Sequence, residues 1–168
     1  MGVRYNAPMS SKPLKVYLDT SIFNFAISTQ DVPHEKECTL RFLDLIQKGN
    51  CLGYVSDLVI GEIQRTAQQK RQDDLLKVAA SYPLESLPLT AEVKELAERY
   101  IQEKIIPAKE RNDAIHIAVA SIYNLDAIIS WNFEHMVKFK TKREVKGINA
   151  LMGYKMIEIC SPLEMIEP

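Results

Sequence analysis

The chain has 168 residues, of which 46% are hydrophobic and 26% charged, and its formal net charge at pH 7 is −1. This length corresponds to one domain with a substantial core, and the composition excludes a disordered chain and a polycation held on nucleic acid by its total charge. Its three cysteines are widely spaced and form no CxxC pair, so the sequence supports neither a disulfide framework nor a zinc ribbon.

The apolar pattern predicts short strands that alternate with helices. The predicted strands cover residues 14–19, 52–56, 84–89, 126–130 and 154–160. The predicted helices cover residues 20–27, 33–47, 57–63, 73–81, 91–103, 109–124, 132–139 and 144–151, with a short helical turn from Pro162. This alternation favours a parallel sheet of about five strands between two layers of helices. We therefore expect a three-layer α/β/α domain over residues 13–168, preceded by a flexible polar tail at residues 1–12.

The sequence also gives expectations about compartment. Residues 1–13 contain no apolar segment typical of a signal peptide. The most apolar stretch, residues 114–129, is interrupted by His116, Asn124 and Asp126 and is therefore not a membrane span. Together with unpaired cysteines, these features predict a cytoplasmic protein that does not enter a membrane.

Oxygen-bearing side chains are predicted at one rim of the sheet. Asp19 ends the first strand, Glu62 follows the second strand, Asp113 begins the helix before the fourth strand, and Asn132 follows the fourth strand. Because ligands of open parallel sheets bind beyond the carboxyl ends of the strands, we expect these four groups to converge. Taken alone, each has a simpler explanation as a helix cap, a partner of a helix dipole or part of a solvated helix face.

Converging carboxylates indicate a divalent cation. Carboxylates within about 5 Å of one another repel by ~3 kcal/mol per pair at an effective dielectric constant near 20. Such a cluster is stable only with a bound cation or with raised pKa values. Oxygen ligands are those that hard cations such as Mg²⁺ prefer. Two other residues near these motifs are better interpreted as structural than as functional. His116 is expected to be a hydrogen-bonded core residue, and Trp131 is expected to pack at the rim of the sheet.

Four segments resemble the motifs of PIN-domain proteins, in family order and with family spacing. They are YLDTSIFN at residues 17–24, VSDLVIGEI at 55–63, RNDAIHIAVA at 111–120 and IISWNF at 128–133. The resemblance covers nearly the whole chain, from about Lys15 to Pro162. Common alternatives have no support, since the sequence contains no GxGxxG, no GxxxxGK[ST] and no GxSxG motif.

The resemblance implies a fold, a chemistry and a site. PIN domains are α/β/α sandwiches, many are metal-dependent ribonucleases, and small ones are commonly toxins of VapBC-type toxin–antitoxin pairs. By position, Asp19, Glu62 and Asp113 match the acids that hold Mg²⁺ or Mn²⁺, and Asn132 matches a further site position that is Asp or Asn. Thr20 or Ser21 matches the small hydroxyl residue beside the first acid. The sequence departs from the pattern three residues after Asn132, where some members have a fourth acid and this chain has His135, next to Glu134.

Basic residues directly follow the fourth motif. Five of them fall within nine residues and are opposed only by Glu144: Lys138, Lys140, Lys142, Arg143 and Lys146. A charge run of this kind is often only a solvated helix face. Next to an acidic metal site, a role in guiding the RNA backbone is the better hypothesis. A second route past Lys104, Lys109 and Arg111 remains an alternative.

The sequence thus predicts a Mg²⁺- or Mn²⁺-dependent endoribonuclease, restrained as a toxin by a small antitoxin protein. The alternatives are a catalytically weak PIN-fold module that binds RNA or protein, and a DNA nuclease. A homodimer is also expected. In the sequence its basis is the apolar content of one early helix, which carries Leu40, Phe42, Leu43 and Ile46.

Overall fold

The computed structural model describes residues 12–167. Five strands form one sheet, β1 (Leu14–Leu18), β2 (Cys51–Ser56), β3 (Leu84–Leu87), β4 (Ala127–Ile129) and β5 (Glu158–Cys160). Their order is β3-β2-β1-β4-β5 and every neighbouring pair is parallel. Apart from Lys12, the predicted tail at residues 1–12 lies outside the described residues.

Helices connect the strands and form the outer layers of a three-layer α/β/α sandwich, as predicted. They are α1 (Thr20–Ala26), α2 (Pro33–Gln47), α3 (Asp57–Gln64), α4 (Gln69–Ala80), α5 (Ala91–Gln102), α6 (Arg111–Ile122), α7 (Phe139–Met152) and α8 (Pro162–Ile166). A single 3₁₀ turn, Ala108–Glu110, leads into α6. None of the helices in residues 12–167 is both long and apolar enough to cross a membrane.

The order in which strands are added to the sheet reverses at its central strand, β1. β2 and β3 lie on one side of β1, whereas β4 and β5, which follow α6 in the chain, lie on its other side. In register, Leu18 lies opposite Ile129, which places Asp19 next to Ser130 just beyond the strand ends. The backbone N–H of Asp19 donates to the carbonyl oxygen of Ile129 at 3.3 Å. This switch point is where open α/β sheets form their binding crevice.

The segment after β4 differs from the prediction. Residues 132–138 form turns and not the predicted helix, and α7 begins at Phe139 instead of residue 144. The side chain of Asn132 accepts a hydrogen bond from the backbone N–H of His135 at 3.0 Å, and such side-chain turns compete with helical hydrogen bonding. Strand β5 is also shorter than predicted, because Gly153 ends α7 with a left-handed φ of 78° and residues 154–157 form the connection.

Helix α4 begins four residues earlier than the predicted residue 73. Its first turn is polar and contains little of the apolar periodicity on which the prediction depended. Pairs one helical turn apart stabilise it instead: Gln69 donates to Asp73 at 2.8 Å and Lys70 pairs with Asp74 at 3.1 Å.

The apolar residues of α2 belong to the core of this chain. Phe42, Leu43 and Ile46 are buried, and only Leu40 of the four predicted residues is exposed, at 41%. The sequence basis for a homodimer was therefore wrong, because three of its four residues already pack inside the monomer. The homodimer itself stays a prediction that derives from the family resemblance.

Candidate functional site

Asp19 is a buried carboxylate at the carboxyl end of the central strand. Its Oδ1 accepts hydrogen bonds from the backbone N–H and the hydroxyl of Ser21, at 3.1 and 2.5 Å, and thereby caps α1. Its Oδ2 accepts from the Ser130 hydroxyl at 2.5 Å. The residue is 4% exposed, and this burial raises the pKa of Asp19 despite the hydrogen bonds that favour its ionised form. Asp19 therefore caps α1 with one carboxylate oxygen and contacts Ser130 at the end of β4 with the other, so the helix-cap interpretation does not exclude a role in the site.

Glu62 extends from α3 toward the same strand ends and is tied to two other elements. Its Oε1 accepts hydrogen bonds from the Thr20 hydroxyl at 2.9 Å and from Nε2 of His116 at 2.6 Å. Burial opposes ionisation of Glu62, but the hydrogen bond and the charge of neighbouring His116 hold the pKa of this carboxyl below its ordinary value. Glu62 is therefore a fixed carboxylate and not part of a solvated helix face.

A buried hydrogen-bond chain orients His116. The Tyr17 hydroxyl lies 2.6 Å from Nδ1 of His116 and 2.7 Å from the Ser56 hydroxyl. Because the ionised Glu62 can only accept, Nε2 of His116 carries a proton. Nδ1 of His116 accepts from the Tyr17 hydroxyl when the ring is neutral and donates to it when the ring is protonated. The expectation of a hydrogen-bonded core histidine is confirmed. The sequence did not reveal that its partner is a carboxylate of the site.

Asp113 and Asn132 meet at the other side of the crevice. The amide Nδ2 of Asn132 donates to Oδ2 of Asp113 at 2.9 Å. Burial raises the pKa of Asp113 from 3.8 to about 6, and the charges of Asp19 and Glu110 raise it further against the opposing effect of His116. Burial therefore outweighs the favourable charge of His116 and the hydrogen bond from Asn132. Strongly shifted carboxyl groups of this kind are frequent at functional sites.

Ser130 links the two sides of the crevice and was not predicted as a site residue. Its hydroxyl donates to Asp19 and accepts from the backbone N–H of Asn132 at 2.9 Å. A continuous path therefore runs from Asp19 through Ser130 and Asn132 to Asp113. A serine between a strand and a turn gives no signal in a sequence pattern, since only the pairing of β1 with β4 brings its hydroxyl to Asp19.

Both predicted hydroxyl residues contact an acid of the site. Thr20 donates to Glu62, and Ser21 donates to Asp19. Ser21 also accepts from the backbone N–H of Trp131 at 2.9 Å. The Trp131 ring is buried, packs against Phe25 and donates through Nε1 to Thr39 at 2.7 Å, so it is a packing residue as expected.

Hydrogen bonds connect Asp19, Asn132 and Asp113 through Ser130, and Glu62 is held by Thr20 next to Asp19. The tightest group of possible ligands is a different one. Within residues 12–167, only Glu110, Asp113 and His135 bring three donor atoms mutually within 4.8 Å. Asp19 and Glu62 are outside this group. Neither Glu110 nor His135 was predicted as a ligand, because they approach Asp113 only through the 3₁₀ turn and the turn after β4.

The predicted basic run lies on the turn before α7 and on α7. Two of its members form ion pairs: Lys142 with Glu164 at 3.6 Å and Lys146 with Glu158 at 2.7 Å. Lys138, Lys140 and Arg143 are exposed. Lys140 and Arg143 line an open cavity of about 440 Å³ together with Phe139, whose side chain is 78% exposed.

Comparison with known proteins gives a sequence family and a set of similar folds. The PIN domain family matches residues 16–134. The VapBC2 structure from Rickettsia felis, bound to a promoter DNA fragment, is 17% identical with a TM-score of 0.56, over 88% of this chain and 98% of that chain. A toxin–antitoxin complex from Klebsiella pneumoniae is 18% identical with a TM-score of 0.55, over 75% and 93%.

A third similar structure is VapC20 from Mycobacterium tuberculosis, described as a toxin that cleaves the sarcin-ricin loop. It is 15% identical with a TM-score of 0.53, over 84% of this chain and 98% of that chain. At these identities the likeness concerns the fold alone. A comparison with curated protein sequences finds no match.

The hydrogen-bond chain through His116 predicts different outcomes for two identical substitutions. Tyr17→Phe removes the hydroxyl that forms a hydrogen bond with Nδ1 of His116, whereas Tyr100→Phe removes an equally buried hydroxyl that contacts Ser121 and Asn149. We expect both variants to lose about 1–3 kcal/mol of unfolding free energy, because each leaves buried polar groups unpaired. Chemical denaturation measures this loss.

Only Tyr17→Phe should change the ¹⁵N resonances of the His116 ring, because only this variant removes the partner of its Nδ1. The chain has three histidines, so single His34 and His135 variants assign the resonances. An unchanged His116 spectrum in Tyr17→Phe would contradict a hydrogen bond between the Tyr17 hydroxyl and Nδ1 of His116.

Proposed function

The chain belongs to the PIN domain family, and on that basis we propose that it is a divalent-metal-dependent endoribonuclease and the toxin of a toxin–antitoxin pair. The observation that carries the proposal is the set of acids at the switch point of the sheet. Asp19, Glu62 and Asp113 come from three separate elements, and each is held by hydrogen bonds from side chains of other elements. Ionising neighbouring buried acids is unfavourable unless a cation compensates their charge, and the raised pKa values of Asp19 and Asp113 reflect this cost in the absence of a cation.

The donor chemistry fits Mg²⁺ or Mn²⁺. Within residues 12–167, the ion pairs include no lysine or arginine partner for Asp19, Glu62 or Asp113. The raised pKa values of Asp19 and Asp113 indicate that their negative charge is poorly compensated. Carboxylate oxygens are the ligands of both cations, and we assign Asp19, Glu62 and Asp113 to this role.

A bound divalent cation supplies an activated water and stabilises the charge that develops on a phosphodiester. The residues of the chain position the ligands. Thr20 and His116 fix Glu62, while Ser21 and Ser130 fix Asp19. Asn132 fixes Asp113 and is the remaining catalytic candidate, through an amide that can orient a water or a phosphate oxygen.

The basic run is proposed to guide RNA to this crevice. Lys138, Lys140 and Arg143 are exposed cations that begin six residues after Asn132. Lys142 and Lys146 are already paired with acids, so we assign them a smaller share of the phosphate contacts. Thr20 and Ser21 border the acids and are further candidates for contact with the substrate.

The similar folds support the toxin assignment and a protein partner. One is a VapBC structure, one is a toxin–antitoxin complex and one is a toxin, and in all three this chain spans more than nine-tenths of the other chain. We propose that a small antitoxin protein binds this chain, and that the chain forms a homodimer. Coexpression with a neighbouring small reading frame followed by copurification tests the antitoxin.

Cleavage of RNA should depend on both metal and acid. We expect the full chain to cleave RNA with Mn²⁺ or Mg²⁺, to lose cleavage in excess chelator, and to lose it in Asp19→Asn and Asp113→Asn. Each substitution preserves shape and removes the charge that a hard cation requires. Gel analysis of labelled RNA measures the rate, and Asp31→Asn, an exposed acid between α1 and α2, is the matched control.

Other outcomes separate the alternatives. RNA binding without turnover in the metal-loaded protein would identify a binding module, and cleavage of DNA but not RNA would identify a DNA nuclease. Cleavage that survives in Asp19→Asn and Asp113→Asn at the parental rate would contradict the proposed site.

The salt dependence of RNA binding tests the basic run. Each contact to a single-strand phosphate contributes about −0.7 to the slope of log affinity against log salt. In an Asp19→Asn background, replacing both Lys140 and Arg143 by Ala should flatten the slope by about 1.4, equally for unrelated RNA sequences. The matched pair Lys142→Ala and Lys146→Ala should change it less, because these cations are already paired. Equal slopes in all three proteins would mean that RNA approaches by another route.

A further inference from the structure

Two exposed aromatic side chains follow the acids of the site. Phe133 is 55% exposed and Phe139 is 78% exposed. The other phenylalanine, tyrosine and tryptophan side chains of residues 12–167 are buried or half-buried. Single apolar residues on a surface are ordinary. Here, however, the exposed aromatic residues are confined to one segment, which leads from Asn132 into α7.

Phe133 lies at the tip of a turn that is held on both sides. Its backbone N–H donates to the carbonyl oxygen of Trp131 at 3.0 Å. The N–H groups of Met136 and Val137 donate to the carbonyl oxygen of Asn132 at 3.1 and 2.8 Å, and both side chains are buried in the core. The ring of Phe133 lies 6.0 Å from the ring of Trp131 at an interplanar angle of 59°. The turn therefore fixes this ring while more than half of the side chain stays exposed.

The turn places this ring beside the acids. Asn132, the residue before Phe133, donates through its amide to Asp113 at 2.9 Å. Consecutive Cα atoms are about 3.8 Å apart, so the phenyl group begins one residue from a side chain that holds an acid of the site. An RNA strand with a phosphate at the acids would therefore bring a neighbouring base to this ring.

The charge of the same segment is complementary to a nucleic acid. Residues 132–143 contain four lysines or arginines and one acid, whereas the formal net charge of the whole chain is −1. Phe139 lies between Lys138 and Lys140 in the sequence, and the open cavity of about 440 Å³ is lined by Phe139, Lys140 and Arg143. Aromatic rings interleaved with cations are typical of surfaces that bind single strands, because bases stack on the rings while phosphates contact the cations.

We propose that Phe133 stacks on the nucleobase next to the phosphodiester that is cleaved, and that Phe139 stacks on a second base farther along the basic run. The ligand of each ring is an unpaired base, whose face is free to stack on an aromatic side chain. The proposal rests on the proposed function for the identity of the substrate, RNA. It adds a contact with the bases to a surface that otherwise contacts only phosphates.

A protein partner is the other kind of molecule that could cover these rings. A protein interface has a core of closely packed apolar residues, from which charged residues are depleted. The two rings are instead separated in the sequence by the exposed cation Lys138 and by residues that are buried in this chain. One ring for each base with a cation between them fits a nucleic acid strand better.

Binding of a labelled oligoadenylate to the full chain with Asp19→Asn tests the proposal without cleavage. Adding Phe133→Leu or Phe139→Leu keeps an apolar side chain but removes its aromatic face. We expect each to lower the affinity by about 5- to 150-fold, the loss of one stacked base, and Phe133→Tyr to retain the affinity. The slope of log affinity against log salt should stay unchanged, because no phosphate contact is lost.

The matched control is Leu151→Ala, which shortens an exposed apolar side chain at the other end of α7. It should leave the RNA affinity unchanged. Both phenylalanines are exposed, so the leucine variants should keep the fold, and circular dichroism verifies it.

An abasic nucleotide identifies the base that Phe133 contacts. In an RNA whose cleavage position has been mapped with the wild type, removing the base next to that position should weaken binding by the same factor as Phe133→Leu. Both changes together should cost little more than either alone, because each removes the same stack. Losses that multiply would overturn the assignment of Phe133 to this base.

The remaining outcomes separate this proposal from the nuclease itself. Unchanged affinity in Phe133→Leu, with RNA still bound by the Asp19→Asn protein, would overturn the stacking and leave the proposed nuclease intact. Unchanged RNA affinity together with loss of a copurifying small protein would identify Phe133 as an anchor for a protein partner. No RNA binding by the Asp19→Asn protein and no cleavage by the wild type would overturn the proposed function as well.

Discussion

The burial of an acid at the end of the central strand constrains the rest of the site. Asp19 follows β1 in the middle of a parallel sheet, where its neighbours on both sides are strands. Water cannot solvate a carboxylate there, so the protein must supply donors and charge. Ser21 and Ser130 supply the donors. Among the described residues no lysine or arginine forms an ion pair with Asp19, and the favourable charge of His116 does not offset its burial. The divalent cation that we propose for this site would supply the remaining charge.

The same constraint explains the polar residues around the crevice. Glu62 is held by Thr20 and His116, and Asp113 by Asn132, so each acid is oriented before any ligand arrives. The chain of buried hydroxyls behind His116 ends in Tyr17 and Ser56, inside the sheet itself. Orientation of Glu62 therefore depends on core residues of β1 and β2. A substitution in this core should alter the site without touching a ligand.

Much of the fold and the main acids could be predicted, because their signals are local. The alternation of apolar runs indicated the parallel sheet, and acids at strand ends or helix starts could be placed at one rim by topology alone. The rest depends on tertiary contacts. Ser130 reaches Asp19 only through the pairing of β1 with β4, and Glu110 reaches His135 only through two turns. The helix predicted over residues 132–139 does not form, because the Asn132 side chain makes a turn with the backbone of His135. The apolar residues of α2 that suggested a dimer interface are mostly buried in the core of the monomer.

The most direct test of the central claim is the unfolding free energy of wild type and Asp113→Asn against pH, in chelator and in excess Mn²⁺. The pKa of Asp113 is raised from 3.8 to about 6, so the folded protein binds this proton more tightly than the unfolded chain. In chelator its contribution to stability is therefore greatest below about pH 4 and is lost as the pH rises to about 6. At pH 8 Asp113→Asn should be more stable than wild type by about 1–3 kcal/mol, since one pKa unit corresponds to about 1.4 kcal/mol. Mn²⁺ at about 100 times its Kd should add about 2.7 kcal/mol to the wild type and less to the variant. Parallel pH profiles for the two proteins, with no effect of Mn²⁺ on either, would contradict the account.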